Sequence, residues 1–554
     1  AALLAVAMTA PILLPALKAL MSGKLDSGFT GYEPQQSTNF VFKNLFTKLL
    51  PGKYDSITNS GLPSIYPGLL LLLLAVIYFL LRQIKLREKI GMAAMLILFA
   101  ISFYYIPLDK VWHGFQYPNW FPYRYAFLCS FTLIYMALRS IMVITQLVHK
   151  KYVLSAAITL CLLGTIIDMT GNGRKMFDGL DKEFGYTEMA EYTKFIKETQ
   201  TLVQKIQKQD KDLYRINQTY EFSKNDAMLL GYNGMTHYSS AFNVHVNKLT
   251  KTLGLAQSYF WNSGYGSTPL TDSLFGCKYV LSRRDLSAVY ATIDSKDNTL
   301  NDMAASYQNN MALPFAYAVS DLRKADNIAQ QSVFSNENSF VTGITGKHKN
   351  YFWNCNANTW TYQITAASNN PMYLYMEGNS PYANVYVNGT YIGDYFSNET
   401  NCILYLGNFK QNETVTVQVV TTDDGNTYGP SYAEIVQLDM ATVRETMQSL
   451  AGNALQVKSH SHGKITGSIT LADDQQAVMT SIPYDKGWTI LVDGKKVNYT
   501  TYADTFMQFK CSPGKHTVEF RYVSPGFKLG ILIAVIGLFA AILYLCYPKI
   551  LSRR

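Results

Sequence analysis

Six apolar runs, at 1–21, 65–81, 90–106, 121–138, 152–169 and 529–547, limit the fold of this chain more than any other feature. A helix crossing about 30 Å of hydrocarbon needs about 20 mostly apolar residues, because every backbone N–H and C=O must be satisfied inside the segment. The six runs reach or approach that length. The third is short, and Pro11 and Pro15 are expected to kink the first. Between the fifth and the sixth lies a long Tyr- and Asn-rich stretch that reads as ordinary globular sequence. These features predict a polytopic α-helical membrane protein with one large domain held outside the bilayer.

Charge sets the expected orientation. Arg82, Lys85, Arg87 and Lys89 crowd one connection, Arg139, Lys150 and Lys151 flank another, and Lys549, Arg553 and Arg554 follow the last run. The positive-inside rule places these three clusters in the cytoplasm. Residues 22–64, 107–120 and 170–527 then fall on the outer side, with Trp112, Tyr117, Trp120, Phe121, Tyr123 and Tyr125 as an aromatic belt. The net charge of +9 is thus read as topology. No dense basic run interleaved with aromatics suggests a nucleic-acid groove, so the expected partner is the lipid bilayer and not nucleic acid.

The seven cysteines include no CxxC pair, which argues against a zinc ribbon or thioredoxin-type site. Cys129, Cys161 and Cys546 lie in apolar stretches as core residues, while Cys277, Cys355, Cys402 and Cys511 in the outer domain have two readings, pairing in an oxidising compartment or free thiols, and their spacing favours free thiols by demanding no pair. The chain opens at Ala1 on an apolar stretch without an initiator Met or a charged leader, the pattern of a chain cut inside a longer protein.

The outer domain divides by texture. Apolar residues at Met189, Tyr192, Phe195, Ile196, Leu202, Val203 and Ile206 have the spacing of an amphipathic helix over 187–210, followed by short β-like runs at 213–216 and 278–281. From about 343 the pattern becomes short alternating strands. Asn388-Gly389 and Asp493-Gly494 each sit between alternating runs, the signal for a tight hairpin with both turn residues at positive φ. Another alternating strand follows each hairpin, at 414–420 and 517–523, giving a weak internal repeat of two β-sandwich modules with a helix expected over 439–451. The expected organisation is a membrane domain of about five spans (1–169), an extracellular mixed α/β module (170–342), tandem β-sandwiches (343–440 and 452–525) and a C-terminal transmembrane helix (528–548).

No P-loop, HExxH, GxSxG or strand-borne GxGxxG is present. The Asn-X-Ser/Thr triplets at Asn217, Asn388, Asn398, Asn412 and Asn498 matter only in a eukaryotic secretory context. The sharpest cluster is His113-Gly-Phe-Gln-Tyr-Pro-Asn-Trp-Phe-Pro-Tyr-Arg-Tyr125, where an outer loop meets a span. Arg124 there has two readings: a guanidinium holding a lipid-linked phosphate bidentately while Trp120 or Tyr123 stacks on a sugar, or an interfacial cation snorkelling to headgroups. His113 is a candidate proton carrier or a structural interfacial His. Asp168 is a candidate as an acid at the outer end of a span, where its charge costs little. His237 and Trp261, in Gly-rich polar loops, suit carbohydrate contact, with aromatic packing under a loop as the other reading. No carboxylate cluster has the ligand count of a dedicated metal site, so no metal is assigned.

With these pieces in place, the chain resembles the YfhO family of bacterial membrane proteins. The residues carrying the resemblance are Gly61-Leu-Pro-Ser-Ile-Tyr66, Pro118-Asn-Trp-Phe-Pro-Tyr-Arg-Tyr125, Gly231-Tyr-Asn-Gly234 with His237-Tyr-Ser-Ser240, Ser273-Leu-Phe-Gly-Cys-Lys-Tyr-Val-Leu281, and Ile482-Pro-Tyr-Asp-Lys-Gly-Trp488. The resemblance implies a glycosyltransferase of GT-C type. Its donor would be a polyprenyl-phosphate sugar and its acceptor a teichoic, lipoteichoic or related envelope glycopolymer outside the bacterial cell membrane. It also implies a carboxylate general base in the first outer loop, in an N-terminal half that is expected to lie upstream of this chain. The alternative is a membrane-anchored accessory protein that binds envelope polymer without catalysis.

Overall fold

The computed structural model describes residues 2–23, 38–58, 61–118, 120–147, 151–258, 260–294, 304–325, 328, 332–355, 361–378, 382–396, 401–421 and 431–551. Asn119, Lys150, Asn398, Arg553 and Arg554 therefore lie outside the described residues. Two compact units emerge, one of residues 28–188 and one of 1–27 together with 189–554.

In the first unit the apolar runs form helices α2 (Leu69–Leu80), α3 (Leu86–Tyr104), α4 (Ile106–Trp112), α5 (Ala126–Leu147) and α6 (Lys151–Phe184), α1 (Ala2–Ser22) belonging to the other unit. Ala126, Cys129, Leu133, Met136, Ala137, Ser140 and Val143 make the buried stripe of α5, while Phe127, Phe131, Leu138 and Met142 on its other side are exposed. A helix apolar all round is one that lipid, not water, can surround. Among the described residues, four helices are long and apolar enough to cross a membrane: Leu3–Ser22, Ala126–Leu147, Ser155–Phe184 and Phe527–Cys546. Two of the six expected spans fall short of that standard. Helix α2 has only 12 residues, and α3 opens on Arg87, Glu88 and Lys89.

The helix expected to stop at 169 does not stop there. Helix α6 carries Gly171 and Gly173 in its interior and continues for 34 residues to Phe184, about 51 Å at 1.5 Å per residue. Each Gly costs roughly 1 kcal/mol relative to Ala in a helix. Lateral contacts offset that cost. Asn172 Oδ1 accepts from the Gly52 backbone N–H at 2.7 Å, Ser56 Oγ donates to Glu183 at 2.5 Å, and Tyr54 also donates to Glu183.

The second unit pairs α1 with the C-terminal helix Phe527–Leu551. Pro11 and Pro15 are accommodated within an uninterrupted α1. The amphipathic helix appears as α7 (Met189–Gln209), whose Leu202, Val203 and Ile206 pack on Ile216, Tyr279 and Leu281. Those residues belong to the parallel strands Arg215–Gln218 and Cys277–Ser282, next to which Ala305–Gln308 and Ala291–Asp294 run antiparallel.

Both predicted hairpins form. Val387 pairs with Thr390 across Asn388 and Gly389 at φ 48° and 79°, and Val492 pairs with Lys495 across Asp493 and Gly494 at φ 50° and 76°. In each case the first hairpin strand also pairs with the later alternating strand, Thr414–Thr421 or Gly514–Tyr522. The first hairpin's sheet shares a core with a second sheet through Tyr362, Val385 and Val417 against Met372, Leu374 and Ile435. Around the second hairpin, Ile469, Ile490 and Phe520 pack against Val478, Phe509 and Ala316. That last residue lies on Ala316–Val319, an edge strand drawn from outside 452–525 that pairs with Ala477–Pro483. The helix Met440–Ala451 begins on the expected Asp439, whose carboxylate accepts from the Ala441 and Thr442 N–H groups.

Candidate functional site

The turn from α3 through α4 to α5 gathers most of the candidate residues of the first unit. Helix α4 has Pro107 in its first turn, where the missing N–H is no loss, and ends at His113. The following loop takes three non-glycine residues into positive φ, Phe115 (65°), Phe121 (56°) and Tyr123 (56°), a conformation usually costing of order 1 kcal/mol or more each. Such a loop holds its shape only when packing enforces it. Here the Phe121 N–H donates to the Ile57 carbonyl at 2.8 Å, and Trp112, Phe103 and Tyr125 stack with ring separations of 4.9 and 5.1 Å.

Beneath these rings sits a residue that the sequence reading passed over. Asp109 is fully buried, one helical turn before His113, and its Oδ1 lies 3.3 Å from His113 Nδ1. The His113 side chain is 7% exposed, and its Nδ1 also stands 2.9 Å from the Asp109 carbonyl oxygen. Asn39 Nδ2 approaches the second carboxylate oxygen at 3.5 Å. His113 Nε2 is buried with no hydrogen-bond partner among the described residues. The i, i+4 spacing of an Asp and a His was the signal available for this pair.

Arg124 is exposed and folds back on its own loop, donating from Nη2 to the Trp120 carbonyl at 2.9 Å and from Nε to the Phe121 carbonyl at 3.3 Å. Trp120 is 47% exposed, with its ring 5.7 Å from Phe184. Tyr123 does not share that surface. It is 4% exposed and packs edge-on against Phe103 and Phe40, so it is a core residue and not a stacking platform. Asp168 is likewise engaged: both carboxylate oxygens accept from Tyr66 Oη at 2.6 and 2.7 Å, and Oδ2 also accepts from the Leu69 N–H at 2.8 Å. Helix α2 starts on Gly68, which has no side chain to cap it, and Asp168 supplies the missing acceptor from α6.

In the second unit His237 and Trp261 are brought together on a three-stranded sheet, where His237 pairs with Asn262 and Tyr238 with Trp261. His237 is exposed. One face of Trp261 is covered by the Lys224 ammonium at 4.1 Å, which is itself paired with Glu221. Asn217, the first of the Asn-X-Ser/Thr triplets, is buried and donates to Asp272 at 2.9 Å.

Asp272 and Glu337 are fully buried carboxylates that sequence reasoning missed. Burial pushes Asp272 up to about 6 against the hydrogen bonds it receives from Tyr290 and Asn217, and burial also holds Glu337 well above the ordinary carboxylate range. Tyr290 Oη donates to Asp272 at 2.6 Å and Thr268 Oγ1 to Glu337 at 2.9 Å. Asp272 borders a cavity of about 70 Å³ shared with Arg284 and Tyr265. All seven cysteines are free thiols, and among the described residues no group of three or more His, Cys, Asp or Glu is placed to hold a metal ion.

The family described as "Bacterial membrane protein YfhO" matches residues 1–153 and 138–534. "Uncharacterized protein YfhO" of Bacillus subtilis (strain 168) is 24% identical over 399 residues, covering 64% of this chain and 45% of that protein. The chain thus spans less than half the length of this curated relative. Among solved structures, a GH2 beta-galacturonidase from Eisenbergiella tayi bound to glycerol aligns at 12% identity over 30% of this chain and 28% of its own, with a TM-score of 0.12. A putative uncharacterized protein from Burkholderia cenocepacia aligns at 11% identity over 31% of this chain and 78% of its own, with a TM-score of 0.11. Likeness that weak carries no argument about fold or chemistry. The family match covers nearly the whole chain, and with its apolar helices and β-rich second unit this protein belongs to the YfhO family of bacterial membrane proteins.

Proposed function

We propose that the full-length protein is a membrane glycosyltransferase of GT-C type, moving a sugar from a polyprenyl-phosphate donor to a teichoic- or lipoteichoic-type envelope polymer. In this reading residues 189–527 lie outside the cell and present the acceptor, while the helices hold the lipid donor. The observation that carries the reading is the exposed Arg124 guanidinium beside exposed Trp120, on a loop forced into shape by buried aromatic rings. Among the described residues, two of its five N–H groups are used, both on loop carbonyls. The others suit the phosphate oxygens whose charge grows as the anomeric C–O bond breaks and the acceptor oxygen takes over that carbon.

A second reading, a non-catalytic envelope-polymer-binding protein, is favoured by the engagement of candidates the membrane site would use: Tyr123 is core and Asp168 caps a helix. Compositional analysis of envelope polymer by mass spectrometry separates the two. Cells lacking the gene and its paralogues are complemented with full-length wild type, Arg124→Ala or Arg124→Lys. The transferase reading expects one sugar to disappear in the deletion strain, return with wild type, and fall about 10-fold or more with Arg124→Ala, a loss of roughly 1.4 kcal/mol or more of transition-state stabilisation. Lys, a point charge without the planar fork, should restore part of it. An unaltered polymer in the deletion strain sinks the transferase reading.

A further inference from the structure

A cleft of the second unit is lined by none of the candidate site residues described above but by Asn233, Lys278 and Trp488, which fall in three of the segments that carry the family resemblance. It encloses about 720 Å³, inside the range of roughly 300–1,000 Å³ typical of small-molecule sites. One wall comes from the α/β sheet, with Asp212, Tyr214, Asn233 and Lys278, and the other from the sheets of the second hairpin, with Gln456 and Trp488. The walls are tied to each other. Arg215 Nη1 donates to the Phe275 carbonyl at 2.6 Å and to Ser481 Oγ at 3.0 Å, and Nη2 donates to the Ser481 carbonyl at 3.0 Å. The cleft is therefore set before any ligand arrives, which lowers the ordering cost of binding.

Its chemistry is specific in two respects. Trp488 is half-buried and supported by Tyr522 at a ring separation of 5.0 Å, and Tyr214 is supported edge-on by Tyr279 at 4.9 Å with the Lys278 ammonium 5.8 Å from its ring centre, which leaves Trp488 as the principal stacking face. These are rigid aromatic surfaces with the amides of Gln456 and Asn233 at the same cleft, Asn233 Nδ2 also donating to the Tyr214 carbonyl at 3.2 Å. The charges also cancel. Lys278 Nζ lies 2.5 Å from Asp210 and 3.3 Å from Asp212, so two carboxylates offset the Lys278 and Arg215 cations, leaving no surplus positive charge for a phosphate. Flat apolar faces, amide donors and acceptors and a neutral field fit pyranose rings, whose C–H faces are apolar and whose rims are hydroxyls.

We infer that this cleft is a binding site for a short neutral oligosaccharide. The inference uses neither Arg124 nor the transferase reading, so either can fail without the other. The purified chain in detergent is titrated with maltotriose, cellotriose and chitotriose, followed by tryptophan fluorescence and saturation-transfer NMR. At least one probe is expected to bind, with a Kd on the order of 1 mM or tighter. Trp488→Ala should weaken it about 10-fold, while Trp488→Phe, which keeps a ring against Tyr522, and Asn233→Ala should each weaken it about 3-fold without altering the thermal unfolding midpoint. Three outcomes overturn the inference: no probe bound at concentrations of about 20 mM, binding untouched by both Trp488→Phe and Asn233→Ala, or binding confined to a glycerol phosphate oligomer and lost at high salt.

Discussion

Asp272 and Glu337 show what single residues contribute here. A carboxyl group whose folded pKa is raised stays protonated in the folded chain after the unfolded chain has released its proton. Stability is then full below the unfolded pKa near 4 and is lost as pH rises through the folded value, about 6 for Asp272. The rise from 3.8 to about 6 corresponds to roughly 3 kcal/mol of lost stability at neutral pH. Asp272→Asn with Glu337→Gln should therefore unfold at a higher denaturant concentration than wild type at pH 8 and show no advantage at pH 4. Equal pH slopes for the two proteins would mean that these groups ionise freely. Neither residue was legible in the sequence, because Asn217 and Tyr290, which bond Asp272, lie 55 and 18 residues away from it, and Thr268 lies 69 from Glu337. Arg124 and Trp120 were legible, since a cation and a ring at the end of an apolar run are recognisable without coordinates.

Among elements, the two Asn-Gly and Asp-Gly hairpins and the helix Met440–Ala451 follow directly from local chemistry, because positive φ and an N-cap are decided within four residues. Helix α6 shows the opposite case: its passage through Gly171 and Gly173 depends on bonds from Gly52, Tyr54 and Ser56, more than 100 residues earlier. Packing of α1 on the C-terminal helix also depends on glycine. A Cβ at Gly530 would stand 2.6 Å from the Ala10 carbonyl oxygen and 2.7 Å from Pro11 Cα, and one at Gly537 would stand 2.8 Å from Ala7 Cβ. Close backbone approach of this kind is how helices associate where lipid removes the hydrophobic drive. Gly530→Leu is expected to cost about 1–3 kcal/mol in detergent unfolding, whereas Leu532→Ala, on an exposed face, should change it by about 0.5 kcal/mol or less. Equal effects of the two substitutions would show that the helices do not depend on this contact.

For the whole molecule, the proposed orientation makes a direct prediction about sidedness. Single cysteines replacing exposed Ser459 and exposed Gln83, each in a background with the native cysteines substituted, should differ in intact cells. A membrane-impermeant maleimide should label position 459 and reach position 83 only after permeabilisation. The reverse pattern would invert the reading of the Arg82, Lys85, Arg87 and Lys89 cluster. The fold links this cluster to the second one: Arg139 donates from Nε and Nη2 to Glu88 at 3.1 and 3.3 Å, so one cation of that second cluster is offset locally.

Sequence alone determined the apolar runs, the split between helical and β-rich regions, the two tight turns and the family. All of these rest on composition or on chemistry within a few residues. Tertiary structure alone decided which candidates remain free to bind. It buried Tyr123, turned Asp168 into a cap, covered Trp261 with Lys224, paired Asp109 with His113 out of solvent, and drew the strand Ala316–Val319 into a sheet with Ala477–Pro483. Burial and partnership are properties of residues far apart in the chain, and no local pattern encodes them.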